Sequence, residues 1–477
     1  MYARTQLKRD LGPSQVGSMA LGCIIGFGCF VLPGDFLERS GPMGAALGII
    51  LGGIVVIIIA RAYGVMVRNF TVAGAEFAYA YYAFGRYHAY ICGWFLAVGY
   101  ISIVPLNATA LTILGRFLSP SLFTQGYLYS VAGFDVFICE VLLASVPIMF
   151  IGYLNYRGIK AVGRVQVVMT VVLVGAVLVI GVGGLLSSAS AIEHLQPLFP
   201  TSQSPLSSIL AMLAITPWLY VGFDTIPQAA EEFNFSPSRV FRLMVLAIAS
   251  GALMYTTVVV ATGMVTPWRE LVSGGYVWAT GTTVSGSLGF WGVMFLAVAV
   301  SMAIFTGING FYVATSRLLF SMARGKILPN WFVEVHPKYG TPHHAVIFTG
   351  LMSLLAPWFG RQVILWVIDM AALGTVFGYG YTCLAAYWLI RQAPHCGSSS
   401  ERWCALLGAL LSMGCIILLC VPGMPGFMAG PSWIALTIWV IVGVLFYLLR
   451  TKKYGRLSQN ELDYLILGQE REKIVLR

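Results

Sequence analysis

Long apolar runs constrain this chain more than any other feature of its sequence. Twelve such runs lie at 16–37, 43–66, 87–115, 134–154, 163–187, 208–231, 242–265, 289–319, 344–360, 362–391, 403–421 and 432–450. Most have the ~20 residues that a membrane-spanning helix needs. Only 10% of the 477 residues are charged, whereas soluble domains contain roughly 25%. The sequence therefore predicts an all-α polytopic membrane protein with twelve transmembrane helices.

Lysine and arginine residues are divided unevenly between the two sides of these spans. The side that carries both termini holds 24 of the 28, and the other side holds Arg39, Arg116, Arg269 and Arg361. Because positively charged loops stay in the cytoplasm, we expect both termini to be cytoplasmic, in the plasma membrane or bacterial inner membrane. The net charge of +10 then reflects membrane topology, and no nucleic-acid partner is expected.

Two of the apolar runs contain helix breakers near their centres. GCIIGFGCFVLPG (Gly22–Gly34) has four glycines and a proline, and TPWLYVGFDTIPQ (Thr216–Gln228) has a glycine between two prolines. Glycine costs about 1 kcal/mol and proline about 3 kcal/mol in a helix interior. Freed backbone groups are tolerated at membrane depth only where they are buried in protein or line a cavity. The two breaks therefore predict an internal binding site.

The two broken spans enter the membrane from opposite sides, the first from the cytoplasm and the sixth from outside. Broken segments at matching positions of two inverted halves are typical of secondary transporters. We therefore expect a five-plus-five inverted-repeat fold. Its predicted parts are a cytoplasmic N-terminus (1–15), a first repeat (16–187), an inverted repeat (208–391), two appended helices (403–450) and a cytoplasmic tail (451–477).

Four motifs resemble one family of membrane proteins, the amino acid–polyamine–organocation permeases. GCIIGFGCFVLPG resembles their first-helix signature, and VGFDTIPQAAEEFNFSPSRV (Val221–Val240) resembles their sixth helix and the loop after it. NGFYVATSRLLFSMARGKILP (Asn309–Pro329) and AGAEFAYAYYAFG (Ala73–Gly85) are similar to their eighth helix with its loop and to their connection between helices two and three. The resemblance covers nearly the whole chain and implies amino acid transport by alternating access.

A broken helix also provides groups that suit a zwitterion. Bare amides and the positive end of a helix dipole bind a carboxylate, and the resemblance assigns this role to Ile24, Gly26, Phe27 and Gly28. The break in span six exposes the carbonyls of Trp218, Leu219 and Val221, which suit an ammonium group. The resemblance also implies that Phe223 covers the substrate. Phe27 departs from the family, because relatives often carry Ser or Thr there.

Polar residues near the breaks are candidates for gating or coupling. Asp224 lies beside the second break, where it could bind a cationic substrate group, carry a proton or hold a gating network. Glu231 and Arg239 suggest an intracellular gate, or simply a solvated loop. Some proton-coupled relatives carry a lysine on the fifth helix at the position that Leu173 occupies here. Ser301 and Thr306 are a possible sodium site, although they also fit ordinary helix hydroxyls.

Other functional classes find less support in the sequence. The sequence shows no nucleophile, metal site or acid–base pair that an enzyme would need. It has no phosphate-binding GxxxxGK[ST] motif, and its histidines lack the spacing of a metal site. No cofactor is therefore expected. The expected partners are an amino acid or related amine and the lipid bilayer. H⁺ or Na⁺ could serve as a coupling ion, and exchange without an ion stays open as an alternative. A polyamine transporter and a non-transporting amino acid sensor with a transporter fold remain as alternatives.

Overall fold

The computed structural model describes residues 4–131, 133–276, 278–424, 426–454 and 457–470, so parts of the predicted tail at 455–456 and 471–477 lie outside it. The helices are α1 (Pro13–Ile25), α2 (Gly28–Val31), α3 (Pro33–Asn69), α4 (Ala75–Leu118), α5 (Pro120–Phe123), α6 (Ile138–Arg157), α7 (Ile159–Leu185), α8 (Pro205–Leu219), α9 (Thr225–Gln228), α10 (Val240–Val265), α11 (Trp268–Ser273), α12 (Ala279–Arg324), α13 (His343–Leu355), α14 (Gly360–Gln392), α15 (Ser399–Cys420), α16 (Gly430–Tyr454) and α17 (Gln459–Leu467). Two strands, β1 (Tyr127–Val131) and β2 (Phe134–Phe137), form an antiparallel hairpin.

Apolar helices long enough to cross a membrane dominate the structure. Within the described residues, ten helical segments have the length and composition of a span, and two shorter apolar helices cover Pro205–Leu219 and His343–Phe359. The shorter pair falls on predicted spans six and nine. The prediction of an all-α polytopic membrane protein is confirmed, while the count of twelve stays a prediction. Span six is short because its helix is interrupted.

Three long helices bend where a glycine interrupts the helical backbone, at Gly41 in α3, Gly85 in α4 and Gly289 in α12. The bend in α4 separates the membrane-crossing part from the preceding arm, Ala75–Phe84. The connection between predicted spans two and three therefore contains an almost entirely buried helix that packs against the bundle. It places Glu76 among the transmembrane helices.

The fourth predicted span begins later than the hydropathy suggests. Residues 134–137 form β2 rather than the start of a helix, and α6 begins at Ile138. The Arg116 guanidinium at the end of α4 pairs with Glu140 in the first turn of α6, where Nη2 donates to Oε2 at 2.8 Å. This ion pair ties the base of the hairpin to the bundle.

Both ends of the chain pack on one face, which we call the termini-bearing face. Leu7 and Leu11 are buried there, and the Leu11 amide donates to the Glu232 carbonyl at 2.9 Å. Helix α17 buries Leu462 and Ile466, and the Tyr81 hydroxyl donates to Asp463 at 2.8 Å. The described part of the tail is therefore docked on the bundle.

Candidate functional site

The first helix break is centred on Gly26. Helix α1 ends at Ile25, Gly26 has φ +44° and ψ −164°, and α2 begins at Gly28. These angles lie outside the regions that L-residues normally occupy. The Tyr255 hydroxyl of α10 lies 3.1 Å from the Ile24 carbonyl and 2.9 Å from the Ile25 carbonyl. Tyr255 thus compensates carbonyl groups that the interrupted helix leaves without their usual partners.

The second break lies directly against the first. Helix α8 ends at Leu219, α9 begins at Thr225, and Gly222 between them has φ +136°. A Cβ atom added at Gly222 would lie 2.5 Å from the Cys23 Cβ and 2.8 Å from the Ile24 amide nitrogen. Only glycine permits this approach. The two breaks therefore meet in the interior of the bundle.

A small pocket of about 30 Å³ lies between the two breaks. Its lining residues are Cys23, Ile24, Gly26, Phe27, Gly28, Ile103, Asn107, Trp218, Leu219, Val221, Tyr255 and Phe311. The Phe27 and Trp218 rings meet edge to face with their centroids 6.2 Å apart. A cavity of this size has room for only about two water molecules, so these side chains must move before an amino acid can enter.

Seven of the eight residues predicted to bind substrate line this pocket, and Phe223 does not. Phe223 is fully buried below it, 5.3 Å from the ring centroids of both Tyr63 and Tyr379. It is a packing residue in this closed arrangement. The rings of Phe27 and Trp218 line the pocket, whereas the Phe223 ring does not.

Acceptors in the pocket come from both backbone and side chains. The Trp218 carbonyl accepts from the Val221 amide at 3.1 Å, whereas no backbone hydrogen bond reaches the Leu219 or Val221 carbonyls within the described residues. Asn107 donates to the Ile103 carbonyl at 2.9 Å, and its buried Oδ1 has no hydrogen-bond partner in the part of the chain described. Asn107 was not predicted, because a single amide in an apolar helix carries no distinguishing signal.

Asp224 faces away from the pocket and belongs to a buried polar cluster. Its Oδ2 accepts from the Tyr100 hydroxyl at 2.6 Å, and its Oδ1 accepts from the Gly222 amide at 2.8 Å. The Tyr100 hydroxyl also lies 3.2 Å from Oε1 of Glu76. Asp224 and Glu76 are both fully buried. Glu76 was missed because its segment lies between the predicted spans 43–66 and 87–115.

Glu231, which the sequence assigned to an intracellular gate with Arg239, forms ion pairs with other residues. Glu231 accepts from Arg324 at 2.8 Å and from Arg4 at 3.1 Å, while Arg239 is exposed and forms no ion pair with it among the residues described. The Leu7 and Ala73 amides also donate to Glu231, each at 3.2 Å. The sequence pointed to Arg239 because that residue is close along the chain.

Burial by itself would raise the pKa of the Glu231 carboxyl, but the Arg324 and Arg4 guanidinium groups outweigh it and hold that pKa below its ordinary range. The neighbouring Glu232 accepts from Arg317 at 2.7 and 3.1 Å, and this pair is fully buried. Two ion-paired glutamates therefore close the termini-bearing face below the pocket.

The possible ion site on α12 is arranged differently from the prediction. The Thr306 hydroxyl lies 3.1 Å from the Gly22 carbonyl and 2.9 Å from the Ala303 carbonyl, so its hydrogen is already engaged. Ser301 is half-buried, and five residues of helix place it on another face from Thr306. These contacts fit hydroxyl groups that stabilise α1 and α12.

Helix α7 carries uncharged polar residues where it meets α1 and α12. Gln166 accepts from Asn309 at 2.7 Å and donates to the Ser18 carbonyl at 3.2 Å, and Thr170 donates to the same carbonyl at 3.0 Å. Leu173, which the resemblance placed at the position of a lysine in some proton-coupled relatives, is fully buried. An amide network therefore connects α1 with α7.

A second, larger cavity of about 680 Å³ lies among α4, α12, α13 and α16. Its lining is almost entirely apolar and includes Trp94, Leu106, Phe348 and Trp439. It offers neither the donors nor the acceptors that a zwitterion needs. The smaller pocket at the breaks is therefore the better candidate, because its backbone groups match a polar ligand.

A histidine cluster lies on the connection between α12 and α13. Glu334, His343 and His344 bring one potential metal-ligand atom each within 4.8 Å of one another. Spacing along the chain did not predict this arrangement. The His344 ring already bonds to the Trp331 carbonyl at 3.0 Å, and the Glu334 side chain is 62% exposed. We assign no ion to this cluster.

The fold and the paired breaks define a polytopic membrane transporter with a central pocket. The family model described as amino acid permease matches residues 11–446. The chain belongs to this family, within the amino acid–polyamine–organocation superfamily.

Relatives of the chain carry transporter names. It is 25% identical to the methylthioribose transporter and 26% identical to the branched-chain amino acid permease BcaP, both of Bacillus subtilis (strain 168), over 95% of each chain. It is 26% identical to the large neutral amino acids transporter small subunit 2 of Mus musculus, over 73% of this chain and 64% of that protein. These similarities indicate a transporter rather than an enzyme.

Proposed function

We propose that this permease moves a neutral amino acid across the plasma membrane by alternating access, with the substrate bound between the two helix breaks. One observation carries the proposal: backbone from both broken helices lines a single pocket that contains no charged side chain among the described residues. Relatives are named for branched-chain and large neutral amino acids, and others of similar identity for cationic amino acids, so the choice of a neutral substrate rests on the pocket.

The substrate carboxylate is proposed to bind at the first break. Amide groups of Phe27 and Gly28 begin the second half of that helix, where N–H groups lack intrahelical partners and the dipole is positive. The Gly26 amide already donates to the Gly22 carbonyl at 3.1 Å, so Gly26 contributes the turn and not a donor. Ile24 contributes to the wall of the same pocket. A carboxylate that enters here replaces water as the acceptor for these donors.

The ammonium group is proposed to bind at the second break. The Leu219 and Val221 carbonyls are available there, and Oδ1 of Asn107 adds a side-chain acceptor. The Trp218 carbonyl does not belong to this set of acceptors because it already accepts a hydrogen bond from the Val221 amide. The Trp218 ring forms a wall of the pocket. A zwitterion is thus held between donors and acceptors of different helices.

A neutral side chain fits the rest of the pocket. Ile103, Phe27 and Phe311 supply apolar surface, whereas a cationic substrate would need a carboxylate. Asp224 does not line the pocket and is engaged by Tyr100 and Gly222. This arrangement gives a polyamine no counterpart for its second charge.

The proposed orientation places both termini in the cytoplasm. The lysine and arginine distribution supports it, and the termini-bearing face is closed by the Glu231 and Glu232 ion pairs. In this arrangement residues 16–187 and 208–391 form the two inverted repeats, and 403–450 are the appended helices. Residues 1–15 and the tail 451–477 are then cytoplasmic.

Counterflow in proteoliposomes tests the proposal. Vesicles preloaded with leucine, valine, phenylalanine, lysine, putrescine or methylthioribose are diluted into labelled leucine. We expect preloaded neutral amino acids to stimulate uptake of labelled leucine, and we expect no stimulation by lysine or putrescine. Binding of labelled leucine without counterflow would favour a sensor, and stimulation by putrescine alone would contradict the neutral substrate class.

A further inference from the structure

The buried carboxylates of Glu76 and Asp224 are joined by one phenol. The Tyr100 oxygen lies 2.6 Å from Oδ2 of Asp224 and 3.2 Å from Oε1 of Glu76. A tyrosine hydroxyl has a single hydrogen to donate, so it cannot satisfy both groups. Because both carboxylate oxygens contact the same atom, they are no farther apart than the sum of these two distances.

The surroundings of this pair are polar but uncharged. The groups that face it are Tyr63 on α3, Tyr79 and Cys92 on α4, Tyr379 on α14, Cys23 on α1 and Gln228 on α9. In the described part of the chain, neither carboxylate forms an ion pair with Lys, Arg or His. Arg317 and Arg324 are bound to Glu232 and Glu231 instead.

Two uncompensated negative charges so close together in a protein interior are unfavourable, and one proton shared by the pair removes the repulsion. The donors already present argue against a metal cation in its place. Oε1 of Glu76 accepts from Tyr63 at 2.8 Å and Oε2 from Gln228 at 2.5 Å, while both oxygens of Asp224 also accept hydrogen bonds. A proton binds to a single oxygen atom, whereas a metal cation needs several oxygen ligands that are not already engaged in hydrogen bonds.

An unpartnered polar group points to the same conclusion. The buried Oε1 of Gln228 has no donor among the described residues. The Gln228 amide contacts Glu76 at 2.5 Å, within the range of O–H···O bonds and short for N–H···O. With its amide reversed, Gln228 presents an oxygen that accepts a hydrogen bond from a protonated Glu76.

We propose that the Glu76–Asp224 pair binds one proton and that this proton is transported with the substrate. An O–H bond forms at one carboxylate oxygen with a proton taken from water on the outer side. The same bond breaks when the pair is separated and hydrated on the cytoplasmic side, which returns the proton to water. No electrons are exchanged.

The structural link between the pair and the substrate site is Gly222. Asp224 accepts a hydrogen bond from the Gly222 amide, and Gly222 packs on Cys23 and Ile24 of the first break. Glu76 belongs to a different helix, α4. Movement of Thr216–Gln228 away from α4 therefore opens the substrate site and divides the carboxylate pair in one step. This inference rests on the proposed function.

Net uptake of labelled leucine into proteoliposomes tests proton coupling separately from transport itself. With one proton per leucine, an inward gradient of about one pH unit sustains about tenfold accumulation. We expect this accumulation for the wild-type protein, together with acidification of a trapped pH dye on leucine addition. Glu76→Gln and Asp224→Asn should lose the pH-driven accumulation while measurable leucine counterflow remains.

Two controls separate a proton site from a structural role. Tyr63→Phe removes a hydrogen bond to Glu76 but keeps its carboxyl, and should retain pH-driven accumulation. Glu270→Gln removes an exposed carboxyl and should behave as wild type. Counterflow without pH-driven accumulation, or accumulation driven by sodium alone, would overturn the inference and leave the proposed function intact. Absence of wild-type leucine counterflow would contradict both.

Discussion

The backbone of Gly222 packs directly on the backbone of Ile24, so close that a methyl group on Gly222 would lie 2.8 Å from the Ile24 amide nitrogen. The interrupted parts of two helices, nearly two hundred residues apart in sequence, thus share one contact. Cys23, Ile24 and Val221, which line the proposed substrate pocket, lie at or next to this contact.

Gly222→Ala should force these two segments apart. The added Cβ would also meet the Cys23 Cβ at 2.5 Å, and φ of +136° is unfavourable for alanine. Overpacking of this kind costs about 1–3 kcal/mol, so we expect roughly a tenfold or greater fall in leucine counterflow. Gly175→Ala is the matched control, because a Cβ at that exposed helical position meets nothing within 4 Å. Equal activity of both variants would contradict the contact's role.

Phe27→Ala should enlarge the pocket. The Phe27 ring occupies the space beside Trp218, and its removal leaves the backbone amides in place. We expect larger neutral amino acids such as tryptophan to compete with leucine several-fold better than in the wild-type protein. Competition is measured in the counterflow assay, with Phe290→Ala as a control because that ring is 68% exposed. If amino acids compete with labelled leucine in the same order in the variant as in the wild type, Phe27 does not limit the size of the substrate.

Glu231→Gln should weaken closure of the termini-bearing face. Loss of one partner of a buried ion pair costs about 3–5 kcal/mol, so the melting temperature should fall at neutral pH. Because folding lowers the pKa of Glu231, its stabilisation is present above the ordinary carboxyl range and is lost as pH falls through the folded value. The difference between wild type and variant should therefore shrink in acid. A difference that grows in acid would be inconsistent with this ion pair.

Ile466→Asp should release helix α17 from the bundle. Ile466 is fully buried, and an unpaired carboxylate there costs several kcal/mol. The tail should then become sensitive to limited proteolysis, while Tyr464→Asp, at a position that is 40% exposed, should leave it protected. Equal protection in both variants would show that α17 does not depend on this contact.

Local sequence signals predicted the elements but not their partners. The breaks at Gly26 and Gly222 were visible because glycine and proline act on the backbone locally. The Glu231–Arg324 pair and the Tyr255 contacts to Ile24 and Ile25 were not, since they join residues distant in sequence. Tyr255 carries no motif that distinguishes it from other tyrosines in apolar helices.

Other differences have equally specific causes. Hydropathy described the tail as charged and overlooked the capping box of Ser458 and Glu461 before the apolar residues of α17. The family resemblance implied that Phe223 covers the substrate, but the turn at Gly222 directs its ring toward Tyr63 and Tyr379. The direction of a side chain after an irregular turn depends on tertiary packing.

Labelled leucine binding and counterflow of Gly26→Leu test the central claim most directly. A side chain at Gly26 meets an unfavourable φ of +44° and the Cys23 carbonyl at 3.3 Å, beside the proposed carboxylate site. We predict that this variant loses leucine binding and counterflow while its elution volume and melting transition show a folded protein. Wild-type leucine binding and uptake by a folded Gly26→Leu variant would contradict a substrate site between the two breaks.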